Sequence, residues 1–396
     1  MQMKNILFDY VTFEDAYING GALTAKSILF DLVKRDCRIV GLCRDRQKVN
    51  KEICIFSAER DIPIVELKEG LSQLIAQYHI DRFFIGIGQR YAQIPLDEVS
   101  CRIDIIIHDI GDLCMYNADM LYRSDDHLQL LRLKKRSLPK LRYFKMLLGK
   151  VRLERSLIGQ KLSRQRQIVK FGYANIAALL RRDNVYAITV SEYSRNAIEY
   201  YFEQIANPIK VFYPYPTVRK QDADAEIRIP VQEYGEYFLM LSADRYNKNV
   251  SLFLRQFDAL NRRYSNRFKA VIVGFEDLGQ ENIIGLPQVS DEELKVLQSH
   301  CFALVYASFG EGFGLIPLEV MRYGKPALCA YSTSIPEIYG NSVLYFNPAY
   351  PEDLFLKETI LIENYEQYCA HVKEYAETIV QRQDEDGKRL LDYILT

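Results

Sequence analysis

Glu311 and Glu319 stand eight residues apart around a glycine-rich turn, Ser308-Phe309-Gly310-Glu311-Gly312-Phe313-Gly314-Leu315-Ile316-Pro317-Leu318-Glu319. The turn falls where the apolar run Phe302–Tyr306 gives way to a helical pattern from Leu315. Glycines at 312 and 314 let the backbone approach a ligand closely. Pro317 fits a first helical turn, where its missing N–H costs little. The N–H groups of Phe313, Gly314 and Leu315 then form an anion site at the positive end of a helix. Eight helical residues rise roughly 12 Å, more than the roughly 5–9.5 Å between the two carboxyls of a glycosidase. The pair is therefore not read as a hydrolytic acid and base. Two carboxylates about an anion site suit two ends of one ligand, sugar and ribose hydroxyls flanking a diphosphate. The plain alternative is a structural strand-to-helix turn.

A second group follows the run Tyr237–Leu241: Ser242-Ala243-Asp244-Arg245-Tyr246-Asn247-Lys248-Asn249. Two cations at the carboxyl end of a strand lie where open α/β sheets bind ligands. Arg245 can hold phosphate oxygens through two N–H groups and Lys248 acts as a point charge. Together they would neutralise a departing diphosphate without a metal. Taken alone, the segment reads equally as a solvated turn. In the first half, Asn19-Gly20-Gly21 reads as a close-approach turn between the first strand and the first helix. His108-Asp109 ends the strand Ile103–Ile107 and points to the same crevice, where the imidazole would bond a sugar hydroxyl or steady charge at the reacting carbon. The alternative for His108 is a hydrogen-bonded core histidine. Gly86-Ile87-Gly88 lacks the third glycine of a dinucleotide fingerprint and carries no assignment.

These residues need a scaffold, and the chain supplies an α/β pattern from end to end. Strands are expected at Asn5–Val11, Arg38–Leu42, Ile62–Val65, Arg82–Ile87, Ile103–Ile107, Ala187–Val190 and Lys210–Tyr213. The second half predicts strands at Tyr237–Leu241, Ala270–Gly274, Phe302–Tyr306, Ala327–Ala330 and Val343–Phe346. Helices are expected at Leu23–Arg35, Gly70–His79, Ser194–Phe202, Val250–Arg263, Glu292–Ser299 and Leu315–Tyr323. The tail from Pro351 should be helical with one polar break near Asp384–Gly387. Ser290-Asp291-Glu292-Glu293 has the form of a capping box. Strands alternating with helices predict doubly wound, mostly parallel sheets.

With 396 residues, 48% hydrophobic and 26% charged, the chain is expected to form two domains and to need no staple for its core. The boundaries are placed at 1–215, with a basic helical insertion at about 113–182, at 216–378, and at 379–396 for a last helix crossing back to the first domain. The net charge of −1 hides an asymmetry: residues 121–170 carry 15 Lys or Arg against three acids, so the rest of the chain is strongly acidic. Leucines and aromatics interleave with those cations. The segment reads as a surface for an anionic membrane or a lipid-linked acceptor, or as a solvated insertion packed on the first domain. No nucleic-acid motif accompanies it. Eight cysteines without a CxxC pair predict reduced thiols. Neither a signal peptide nor a spanning helix is expected, which predicts a cytoplasmic protein, free or peripheral on the inner face of a membrane.

The stretch from Glu311 to Glu319, followed by Met321, Gly324, Lys325-Pro326 and Ser334-Ile335-Pro336-Glu337, resembles the E-x7-E region of family 4 retaining glycosyltransferases of the GT-B fold. Val289-Ser290-Asp291-Glu292-Glu293-Leu294 and Ala303-Leu304-Val305-Tyr306 extend the likeness. Thr189-Val190-Ser191-Glu192-Tyr193-Ser194 is similar to the family's "TVSxxS" segment, and Ile107-His108-Asp109 to its "HD" strand end. The resemblance implies two facing Rossmann-like domains with a nucleotide sugar, a UDP- or GDP-sugar, in the cleft. It implies that Glu319 binds the ribose, that Glu311 lies by the donor sugar, and that Gly312, Phe313, Gly314 and Leu315 offer amides to sugar and diphosphate. Arg245 and Lys248 match the diphosphate cations, although Arg245 precedes Lys248 by three positions where the family's arginine stands five or more ahead. His108, Gly20 and Gly21 would serve the acceptor side. No metal is expected, and the acceptor would be a saccharide, free or lipid-linked, as in cell-surface polysaccharide assembly. A sugar-nucleotide epimerase of the same architecture and a non-catalytic partner subunit are the alternatives.

Overall fold

The computed structural model describes residues 3–14, 20–68, 70–91, 96, 98–110, 174–215, 227–243 and 245–396. Asn19, Asp244, the basic stretch 121–170 and most of the insertion expected at 113–182 lie outside these residues.

Two parallel sheets carry the fold. Strands β1 (Lys4–Asp9), β2 (Cys37–Cys43), β3 (Ile64–Glu66), β4 (Arg82–Ile85), β5 (Arg102–Ile106), β6 (Val185–Thr189) and β7 (Lys210–Val211) lie in the order 3-2-1-4-5-6-7. Strands β8 (Tyr237–Met240), β9 (Lys269–Val273), β10 (Ile283–Leu286), β11 (Ala303–Tyr306), β12 (Ala327–Ala330) and β13 (Leu344–Phe346) lie in the order 10-9-8-11-12-13. The expected pair of doubly wound domains is thus present. β4, β8, β11 and β12 are buried along their whole length. Helices cover both faces of such sheets, which is why these strands read as unbroken apolar runs. In each sheet the order reverses beside the first strand, between β1 and β4 and between β8 and β11. Ligands of open α/β sheets bind at the carboxyl ends of strands at such a reversal.

Helices among the described residues include α1 (Gly20–Leu32), α2 (Lys51–Glu59), α3 (Leu71–Gln77), α4 (Glu192–Tyr201), α5 (Val250–Arg263), α6 (Asp291–His300), α7 (Leu315–Met321), α8 (Ile335–Tyr339), α9 (Pro351–Glu363), α10 (Tyr365–Cys369) and α11 (Val372–Leu395). The capping box at α6 is formed: the Ser290 hydroxyl accepts from the Glu293 N–H at 3.1 Å, and the Glu293 carboxylate accepts from the Ser290 N–H at 2.8 Å. β10 was not anticipated. It is short and holds Gly285, where a β-carbon would stand 2.5 Å from the Asp277 nitrogen, so close backbone packing, not apolar alternation, defines it.

Two expectations need correction. α1 begins at Gly20, three residues before Leu23, so Gly20 and Gly21 form its first turn and not a loop. The tail breaks at Asn364 and before Val372, and α11 runs unbroken through Asp384–Gly387. Asp384 and Glu385 face solvent, while Asp386 and Gly387 face inward. Asp386 is buried and accepts from the Tyr213 N–H at 3.0 Å, and the Gly387 carbonyl accepts from the Tyr215 hydroxyl at 3.1 Å. A β-carbon at Gly387 would lie 2.9 Å from the Tyr215 ring, so a glycine mid-helix here admits a neighbour and does not end the helix. α11 packs against α7 of the second domain and α1 of the first. Near its end the Tyr393 carbonyl accepts from Arg102 at 3.3 Å, and the Arg102 guanidinium sits 4.2 Å from the Tyr186 ring and 4.6 Å from the Tyr393 ring.

Candidate functional site

The two reversal points face each other across a cleft of about 540 Å3. Gly20, Gly21, Ile87, His108 and Asp109 line it from the first domain. Ser242, Arg245, Lys248, Tyr306, the turn Glu311–Ile316 and Glu319 line it from the second. The glycines, cations, carboxylates and histidine given roles in the sequence, from Gly20 to Glu319, thus border one space among the described residues.

Lys248 ends a short 3-10 turn, Tyr246–Lys248, that joins β8 to α5. Its ammonium donates to Glu311 Oε1 at 2.6 Å and to the Tyr306 hydroxyl at 3.2 Å, and lies 4.7 Å from the centre of the Tyr306 ring. The Lys248 side chain is 5% exposed and that of Glu311 17%, so removing either partner would strand a charge away from water. Ser308 donates to the same Glu311 oxygen at 2.6 Å. Burial holds the Tyr306 phenol well above its usual range, and the neighbouring Glu311 carboxylate reinforces this, so the phenol keeps its proton. Arg245 is exposed on the cleft wall.

The turn after β11 is stitched into place. The Glu311 N–H donates to the Thr333 hydroxyl at 3.0 Å and the Ser334 hydroxyl to the Glu311 carbonyl at 2.9 Å. Phe313 is buried against Tyr213, edge to face at 5.0 Å between ring centres. Gly314 precedes α7 with φ 86° and ψ 69°, a left-handed conformation that suits glycine, and no side chain caps the helix there. Tyr339 accepts from the Leu318 N–H at 3.1 Å and donates to the Gly314 carbonyl. One first-turn amide is thus taken by the protein itself, and those nearer Leu315 lie at the cleft. Glu319 on α7 accepts from the Gln298 side-chain amide of α6 at 2.8 Å.

His108 is fastened by a chain of bonds that begins at the end of β1. Asp9 is buried and accepts from the Gly86 N–H at 3.1 Å, and the Gly86 carbonyl pairs with His108 Nε2 at 3.0 Å. A carbonyl only accepts, so Nε2 carries the hydrogen and Nδ1 is left as the acceptor. Burial pushes the imidazole down to about 4, against a smaller opposing effect of the Gly86 bond. His108 as a residue is partly exposed and borders the cleft. Neutral near pH 7, His108 offers a lone pair and not a positive charge. Gly21 packs on it: a β-carbon there would lie 3.0 Å from Nε2.

The domains also touch directly at the rim. The Gly312 carbonyl accepts from the Ser191 hydroxyl at 2.7 Å, and a β-carbon at Gly312 would fall 2.2 Å from the His108 carbonyl oxygen. Glu337 of α8 reaches across to the start of α4 and accepts from the Glu192 and Tyr193 N–H groups, both at 2.8 Å. A carboxylate on a helix N-terminus is favoured by charge as well as by hydrogen bonding. Tyr306, Ser308 and Gln298 are among the participants to which the sequence assigned no role. The first two stand at the carboxyl end of a strand, a position that could have flagged them. Gln298 sits inside an ordinary amphipathic helix and gives no such signal.

Among known proteins, residues 223–378 match the family model described as Glycosyl transferases group 1. The chain is 29% identical over 176 residues to the O-antigen chain mannosyltransferase RfbU of Salmonella typhimurium, covering 41% of this chain and 47% of that protein. It is 28% identical over 182 residues to O-antigen chain mannosyltransferase B of Escherichia coli, with the same coverage. The matched stretch is thus about half the length of these curated relatives. Among solved structures, sucrose-phosphate synthase from Thermosynechococcus elongatus superposes over 98% of this chain and 97% of its own, with TM-score 0.64 and 12% identity. Anabaena HepE in complex with UDP superposes over 99% of each chain with TM-score 0.63 and 13% identity. WaaG, a glycosyltransferase involved in lipopolysaccharide biosynthesis, does so over 99% of each with TM-score 0.57 and 12% identity.

Proposed function

We propose that this chain, whose residues 223–378 belong to the group 1 glycosyl transferases and whose two domains form the GT-B fold, moves a sugar from a nucleotide-sugar donor to a saccharide or lipid-linked saccharide, with retention at the anomeric carbon. The observation that carries the reading is the cleft itself. It collects a paired lysine and glutamate, an exposed arginine, a helix start and a second glutamate on one wall, and a fastened neutral histidine on the other. That set suits a donor lying along the second domain. Glu319 would take the ribose hydroxyls, Lys248 and Arg245 the diphosphate, and the turn Gly312-Phe313-Gly314-Leu315 the phosphate oxygens and sugar. Glu311 and His108 would meet the transferred sugar, with Gly20 and Gly21 allowing the acceptor close approach.

In the reaction the carbon–oxygen bond to the diphosphate breaks and its electron pair goes to the phosphate oxygen. Lys248, Arg245 and the start of α7 stabilise that charge in a closed, water-poor cleft. The acceptor hydroxyl bonds to the same carbon from the face the diphosphate leaves, and its proton goes to the departing phosphate. Charge neutralisation by side chains and amides is the basis for expecting no divalent ion, and turnover undiminished by EDTA would bear on that. Both named relatives are mannosyltransferases of O-antigen assembly, so a mannosyl donor is the first to test and a cell-surface polysaccharide the first acceptor class. The reading extends to work at the cytoplasmic face of a membrane.

The test begins with a thermal-shift panel of UDP-, GDP-, dTDP- and ADP-sugars, since a ligand that binds only the folded state raises the melting temperature. Transfer is then measured for Glu319→Ala and for the double variant Lys248→Met/Glu311→Gln, which removes the lysine without stranding its partner. Loss of transfer by roughly a hundredfold or more is expected for each, the scale of deleting a charge-stabilising group. Near-normal turnover in both folded variants refutes the reading. Donor turnover without any acceptor would instead indicate an epimerase, and donor binding without turnover a partner subunit.

A further inference from the structure

Glu319 borders the cleft, and its carboxylate is held from outside it as well. The side-chain amide of Gln298 donates to Glu319 Oε2 at 2.8 Å from the neighbouring helix. Gln298 is 2% exposed and is absent from the cleft lining, so it reaches the site only through Glu319. Its own position is well determined. The capping box fixes where α6 begins. The Tyr237 hydroxyl, from the first strand of the second sheet, donates to the Leu297 carbonyl at 2.7 Å. The Cys301 thiol donates to the Gln298 carbonyl at 3.3 Å. A buried amide on so constrained a backbone holds its partner in one place.

From this geometry we infer that Gln298 is a positioning residue for pentose recognition: it aims the Glu319 carboxylate at the hydroxyls of the nucleotide's ribose. This rests on the assignment of Glu319 to the ribose and adds a buried residue that tunes its selectivity. The choice of side chain is chemically apt. A carboxylate binds a vicinal diol by accepting two O–H bonds, so it must stay charged and keep lone pairs for the ligand. A lysine or arginine at 298 would aim the carboxylate too, but would neutralise it and compete with the diol. A neutral amide donates one bond and leaves the negative charge in place. It also removes rotamer freedom from a long side chain before the ligand arrives, a cost otherwise met on binding.

The experiment is calorimetric titration of the full chain with UDP and GDP and with the 2′,3′-dideoxy form of each. The proteins are the unaltered chain, Gln298→Leu, Gln298→Glu and Glu319→Ala. The unaltered chain is expected to prefer the ribose form of the diphosphate it binds. Gln298→Leu should weaken that form by about tenfold, the equivalent of about 1.4 kcal/mol, and leave the dideoxy form unchanged. Gln298→Glu, which sets a second carboxylate against the first, should weaken the ribose form further, again sparing the dideoxy form. Equal losses for both forms in these variants would show a merely structural role and overturn the inference, as would no loss for either. If Gln298→Leu does not fold, the Gln298→Glu comparison decides alone. Should the unaltered chain and Glu319→Ala both treat ribose and dideoxyribose alike, the ribose assignment of Glu319 itself fails, an outcome distinct from the failure of Gln298 alone.

Discussion

Replacing Gly312 by alanine tests whether the cleft works as a closed unit. The new β-carbon would fall 2.2 Å from the His108 carbonyl oxygen, 2.9 Å from its carbon and 3.2 Å from Asp109 Cβ. The nearest two atoms are main chain, so no flexible side-chain end can swing away. Carbon and oxygen approach to about 3.3 Å at the closest ordinary contact, so the two domains must part there by roughly 1 Å. The Ser191 bond to the Gly312 carbonyl, now 2.7 Å, would then stretch beyond hydrogen-bonding range. Overpacking costs about 1–3 kcal/mol and the lost bond about 1 kcal/mol. A shift of about 2–4 kcal/mol against the closed form lowers the closed-to-open ratio roughly 30- to 900-fold. The expected result is a fall in kcat/KM of at least tenfold with retained secondary structure, and a larger radius of gyration in small-angle scattering. Gly70→Ala, whose β-carbon would meet only Glu98 Oε2 at 3.9 Å, serves as the control and should leave both measurements unchanged. Glu337→Gln acts on the same contact from α8, removing the charge from two helix-start bonds, and should move scattering and KM in the same direction. Unchanged scattering and turnover in Gly312→Ala would refute the idea that these rim contacts hold the closed cleft.

Asp386 and Asp392 lie on one helix and should behave oppositely. Asp386→Ala leaves the Tyr213 N–H buried without its acceptor, a loss of about 1–3 kcal/mol seen as a lower urea midpoint. Asp392→Ala breaks only an exposed pair with Arg35 at 3.5 Å and should change the midpoint by less than the scatter of the measurement; equal effects would contradict the anchoring role of α11. For His108, whose folded value is pushed from 6.5 down to about 4, the unfolded chain binds the extra proton first. Stability contributed by the neutral ring is therefore complete above about pH 6.5 and declines as pH falls toward about 4. Asp104, raised to about 6 by burial, acts in the opposite sense, so the comparison must be the unaltered chain against His108→Gln. The stability difference between them should shrink steadily over that interval in urea titrations, and a flat or growing difference would show that the ring is not buried neutral.

Local chemistry wrote much of this molecule into its residue order. Continuous β-branched and aromatic runs read as strands covered on both faces, and their alternation with helical patterns points to a doubly wound pair of sheets. The turn from Ser308 to Glu319 stood out as a candidate site through its glycines, a proline and two carboxylates, because those types serve backbone approach and charge directly. Residue order could not say which groups would touch. That Lys248 would pair with Glu311 on a Tyr306 ring, or that Gln298 would hold Glu319, depends on how α6, α7 and the ends of β8 and β11 pack. The same limit explains Asp384–Gly387, where polarity suggested a break and burial against Tyr213 and Tyr215 made an anchor. Gly312 and Gly387 show the reason most plainly. A glycine's freedom is visible in the chain, but whether it serves a turn, a ligand or a neighbouring backbone is set by what arrives from positions far away, here His108 and Tyr215.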